Sequence, residues 1–147
     1  MTPRLLRFGH AASPVVIVDD CLPDPVQFVA AAVAMAPLPS AEGSYYPGLR
    51  RVFAENDQPA WMMTTELLDN VAPYIAGAFD CDGFTLTEAS FSLVTLPPDR
   101  LIPAQRHPHF DSTDPDVVAA ILYLFDAGMD DGTAFYRHAA TAIEVVA

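Results

Sequence analysis

The stretch RHPHFDS, residues 106–112, sets His107, His109 and Asp111 at alternating positions in a chain with only four histidines. All three are side chains that ligate metals. On extended backbone, side chains two apart face the same side, about 6.6 Å apart. Two of them can converge on one ion through bonds of about 2.0–2.2 Å. A third is harder to include, because His107 and Asp111 would lie about 13 Å apart unless the backbone bends. The residues leave two pairs open. His107 with His109 suits zinc, copper or nickel in a cupin-like site. His109 with Asp111 forms two-thirds of the 2-His-1-carboxylate triad that holds Fe(II) and leaves positions open for co-substrates. A polar strand end, with His109 hydrogen-bonded in a loop, is the reading without a metal.

The elements that must position this stretch can be read on either side of it. PVVIVDD (14–20) reads as a short buried strand. In LPDPVQFVAAAVAMAP, Asp24 is a good helix cap, Pro25 suits the first turn and Pro37 marks the stop, which predicts a helix over about 25–36. A Gly/Pro loop, SAEGSYYPGLRRV, leads to a short strand near Arg51–Ala54. A second helix starts near Pro59 and is kinked or restarted at Pro73. After Gly83 the chain turns rich in β-branched and aromatic residues. FTLTEASFSLVTL reads as one long strand or two short ones, VVAAILYLF as a buried strand, and TAFYRH and TAIEVV as two more. DSTDPD and DAGMDDG read as turns. Helices first and strands afterwards predict an α+β domain.

The chain has 147 residues, 52% of them hydrophobic and 18% charged, a globular composition of one-domain length. The net charge is −12, and all seven basic residues are arginine. Phosphate neutralisation needs a basic footprint, so nucleic acid is not an expected partner. With no lysine present, Schiff-base chemistry on a lysine side chain is excluded. No apolar run approaches a membrane span and no signal peptide is read, so a cytoplasmic protein is expected. Cys21 and Cys81 are then expected to be thiols.

HFDSTDPDVVAAILYLFDAGMDDGTAFYRH, residues 109–138, resembles the core of the 2-oxoglutarate- and Fe(II)-dependent oxygenases of the prolyl 4-hydroxylase type. The matching pieces are HFD (109–111), ILYL (121–124) and DGTAFYRH (131–138), in the family's order and spacing. VDDCLPDP (18–25), YPG (46–48) and the FYRH ending (135–138) are similar to a bacterial branch of that superfamily. The resemblance covers nearly the whole chain. It implies N-terminal helices packed on a double-stranded β-helix, a jelly-roll or cupin-like barrel that is incomplete at its C-terminal side. Residues 1–82 would form a helix-rich support and residues 83–147 the first part of the barrel. It also implies an oxidoreductase: a hydroxylase-type dioxygenase with Fe(II) and 2-oxoglutarate as cofactors and a small molecule or peptide as substrate. His109 and Asp111 would be iron ligands, and the Tyr123 hydroxyl would contact 2-oxoglutarate. Thr133 and Phe135 would shape the cofactor pocket, and Arg137 would counter an acidic ligand. Tyr45, Tyr46 and Arg50 would line a substrate mouth.

The sequence departs from the family's pattern in two places. The family's third ligand is a second histidine well downstream, followed by a basic residue for the far carboxylate of 2-oxoglutarate. The one histidine after Asp111 is His138, which falls too early and would serve only as a substitute ligand. Asp131 stands where the first glycine of a Gly-Gly pair is usual. Three arrangements answer these departures: the third ligand lies in a segment outside this chain, a second copy completes the open sheet edge as a homodimer, or the fold serves as a non-catalytic binding or interaction module.

Overall fold

The computed structural model describes residues 1–40, 46–125 and 132–144. Strand β1, Thr2–Phe8, turns back into β2, Ser13–Asp19, as an antiparallel hairpin registered Thr2 to Asp19 through Phe8 to Ser13. The turn between them needs two left-handed residues, Gly9 at φ 68° and Ala12 at φ 53°. Helix α1, Val26–Ala34, follows, and the Asp24 carboxylate accepts the Val26 N–H at 3.1 Å just ahead of it. That oxygen satisfies one of the donors every helix start leaves open.

Strand β3, Gly48–Phe53, pairs antiparallel with β4, Ala89–Val94, in register Gly48 to Val94. Between them runs α2, Ala60–Phe79, which continues through Pro73 and ends on Asp80 in the left-handed conformation. A 3-10 turn, Pro98–Arg100, and one turn of helix, α3, Pro103–Arg106, then deliver the histidine stretch.

Alternation along β3 and β4 makes the core. Arg51, Phe53, Ala89 and Phe91 share one face of the pair, and Arg50, Val52, Ser90 and Ser92 share the other. Phe53 and Phe91 meet with ring centroids 5.0 Å apart, in the range aromatic pairs favour. They pack with Phe28 and Ala31 of α1 and Ala60 of α2, and Trp61, Leu67, Leu122 and Leu124 close around them. The β1–β2 hairpin lies against α2, leaving a groove of about 280 Å³ lined by Leu5, Val16, Tyr74 and Ala78 among others.

The expected double-stranded β-helix is not what the chain forms. Among the described residues there are two separate two-stranded sheets and three α-helices, and no closed barrel. A barrel needs each strand paired with a strand on both sides; among the described residues each strand pairs with one other strand, and β3 adds only an isolated bridge from Leu49 to Ser40. ILYLF (121–125) lies outside any strand, with Leu122 and Leu124 against the core and Ile121, Tyr123 and Phe125 exposed. TAFYRH forms no strand either, and of TAIEVV only residues 141–144 are described, outside any strand. Residues 1–82 carry α1 and α2 together with β1, β2 and β3, and of these three strands β1 is the one the sequence did not announce. No helix among the described residues is long and apolar enough to cross a membrane.

Candidate functional site

His107, His109 and Asp111 follow directly on α3. Helix α3 is pinned from both ends. Ile102 N–H donates to Gln105 Oε1 at 3.0 Å, and Arg106 Nε donates to the Leu101 carbonyl at 2.9 Å. From this anchored turn the chain runs out extended at His107 (φ −84°, ψ 138°), and the HxD side chains come together. His109 Nε2 stands 3.6 Å from Asp111 Oδ1, with both side chains more than two-thirds exposed. His109 Nδ1 lies 3.5 Å from the His107 carbonyl oxygen. That contact is long, but its direction is the one by which a carbonyl fixes the tautomer that frees Nε2 for a metal.

Two donors cis to one another on an octahedral ion, each about 2.1 Å from it, lie about 3.0 Å apart. Closing the His109–Asp111 pair by about 0.6 Å is a small rotation for exposed side chains. The His109–Asp111 pair thus lies within a small movement of that separation, and His107 offers its carbonyl to His109 Nδ1. No group of three or more His, Cys, Asp or Glu side chains converges as a metal site among the described residues.

The other candidate residues form separate contacts. The Tyr123 hydroxyl and Thr133 Oγ1 are 2.7 Å apart, joining two residues expected at a cofactor pocket. His138 is turned to its own loop, with Nδ1 2.7 Å from Thr141 Oγ1. Arg137 Nη1 lies 3.1 Å from His10 Nε2 and 3.7 Å from Glu144 Oε1. An arginine has no acceptor, so His10 must accept through Nε2, and its proton sits on Nδ1. Phe135 stacks on Phe8, with centroids 5.0 Å apart. The Glu144 carboxylate accepts the His10 backbone N–H at 2.5 Å. Arg137, Phe135 and Glu144 thus clasp the β1–β2 turn.

Of the three residues expected at a substrate mouth, Tyr45 lies outside the described residues, as does Asp131. Tyr46 and Arg50 meet on the outer face of β3–β4. Arg50 donates from Nε to Ser90 Oγ at 3.1 Å and from Nη2 to Glu88 Oε1 at 2.5 Å. Burial pushes the Tyr46 hydroxyl pKa up, against the lowering effect of a hydrogen bond to Ser92 and of the Arg50 charge. Sequence reasoning passed over Glu88, Ser90 and Ser92, yet the signal was present: EASFS alternates polar and apolar residues, which on a strand sets all three polar groups on one face. Cys21 and Cys81 are free thiols, both half-buried.

No curated protein and no solved structure matches the chain. A family model does match, over residues 1–147, and the chain belongs to that family, described as a family of unknown function (DUF6445).

Proposed function

We propose that the chain serves an Fe(II)- and 2-oxoglutarate-dependent dioxygenase reaction of the hydroxylase type, centred on His109 and Asp111. The observation that carries this reading is the approach of His109 Nε2 to Asp111 Oδ1 on an anchored, open segment. It rests on the local pair and the HxD…ILYL…GTAF order, since the described residues form no barrel. His109 and Asp111 would hold the metal, and the remaining ligand would come from outside the described residues. Bound there, the iron would supply oxygen activation coupled to decarboxylation of 2-oxoglutarate. The Tyr123 and Thr133 hydroxyls would offer hydrogen bonds to the oxo-acid. The test is anaerobic titration of Fe(II) with 2-oxoglutarate, watching for the weak visible charge-transfer band of the chelate. The band is expected with the parent chain and lost with Asp111→Ala. A band of equal strength in that variant would refute the ligand assignment.

A second reading, an interaction module or homodimer, is favoured by one observation. Among the described residues Phe110, Val117, Val118, Ile121, Tyr123 and Phe125 are large apolar side chains left exposed, the kind of surface that a partner covers. Light scattering should then show a mass above that of one chain. A monomer that turns over 2-oxoglutarate would sink this reading.

A further inference from the structure

The outer face of β3–β4 presents a line of polar groups that the metal pair does not use. Ser92 and Ser90 on β4 and Glu88 just before it succeed one another at alternate positions. Arg50, directly opposite Ser92, lies diagonally across them. It places Nε on Ser90 and Nη2 on the Glu88 carboxylate. Ser90 and Ser92 share a contact of 3.4 Å, and Tyr46 closes the far end against Ser92. The Arg50 fork is therefore aimed by its Nε bond before any anion is considered, which is how arginine is pre-organised for carboxylates.

We propose that this face is a recognition site for a small carboxylate, and that Glu88 is its internal occupant. Glu88 sits just before β4, outside the strand, and its side chain is more than half exposed. An exposed pair of this kind resists a competitor only weakly. A carboxylate from solution would take the Nη2 position and gain hydroxyl donors from Ser90 and Ser92. The net charge of −12 repels anions at long range, so binding here must come from the short-range fork of Arg50 and the two hydroxyls. The site needs no metal, so its fate is independent of His109 and Asp111.

The test is a chemical-shift titration of the metal-free chain with sodium acetate, against sodium chloride at matched ionic strength. Acetate should move the amides of residues 48–52 and 88–92, and chloride should not. Glu88→Gln, which removes the competing charge and keeps the shape, should bind acetate about threefold more tightly, the factor matching ~0.6 kcal/mol for an exposed pair. Arg50→Gln should abolish the shifts, and Arg50→Lys should weaken them by losing the Nε bond. Equal affinity in Glu88→Gln and the parent would overturn the proposal. So would shifts that chloride reproduces or that persist in Arg50→Gln.

Discussion

Replacing Gly48 with alanine should open the β3–β4 ribbon at one end, while the same change at Gly77 should stabilise the chain. A Cβ on Gly48 would collide with the Leu93 carbonyl oxygen and lie 2.9 Å from the Thr95 nitrogen and 3.0 Å from the Leu93 carbonyl carbon. All three are backbone atoms of β4 or of the residue just past its end, so no rotamer change can make room. Gly48 must draw back by roughly 1.4 Å to reach ordinary contact, a strain of about 1–3 kcal/mol. The same movement pulls Pro47 away from Thr95 and Leu96, whose N–H groups donate to its carbonyl at 3.1 and 3.2 Å. At about 1 kcal/mol each, these bring the expected loss to roughly 3–5 kcal/mol. Gly77 lies inside α2 and a Cβ there meets nothing within 4 Å. Alanine at that position should gain about 1 kcal/mol from helix propensity alone. Urea unfolding followed by the fluorescence of the single tryptophan, Trp61, measures both. A Gly48→Ala chain within 1 kcal/mol of the parent, or a Gly77→Ala chain less stable than it, would refute this account.

Three further outcomes are expected. Pro73→Ala should raise the unfolding temperature, because Pro73 lacks the N–H that would bond the Asp69 carbonyl and its ring crowds that turn, a defect of up to ~3 kcal/mol; an unchanged midpoint would count against it. Burial raises the Tyr46 pKa above its ordinary value of 10.0, so the folded chain binds the phenolic proton more tightly than the unfolded chain. That contribution is full below pH 10.0 and is lost as pH rises through the folded pKa, so unfolding free energy should fall there in the parent and fall less in Tyr46→Phe. Glu144→Gln should speed hydrogen exchange of the His10 amide about tenfold, the factor for losing ~1.5 kcal/mol of a charge-assisted bond; an unchanged rate would mean that the carboxylate does not hold that turn.

The sequence revealed elements wherever its signals were local. Asp24 and Pro37 bracket α1, and Pro59 opens α2, within a residue or two of the observed ends. The strand at 14–20 is there as β2. Its partner β1 went unread because TPRLLRF puts arginine and leucine on both faces, leaving no period of two to detect. At Pro73 the chain does not restart its helix, since α2 runs on through it from Ala60 to Phe79. The barrel failed for a different reason. Apolar β-branched runs such as VVAAILYLF show what a segment is able to form, but a ladder also needs a facing strand, and pairing is not encoded within the run. At the site, the convergence of His109 and Asp111 was legible because it spans two residues. The contact of Arg137 with His10, 127 residues away, was not.

The clasp between the β1–β2 turn and residues 135–144 also bears on the order of folding. Its bonds join residues up to 134 apart, whereas the hairpin it grips closes a loop of about a dozen. Bringing the more distant ends together costs about 2 kcal/mol more chain entropy before any contact rewards it. The hairpin and the helices should therefore be in place in the transition state, with the clasp still open. A change at Glu144 or Phe135 would leave the folding rate nearly untouched and appear almost wholly as faster unfolding. The clasp would then set how long the folded chain stays folded, and have little part in how fast it gets there.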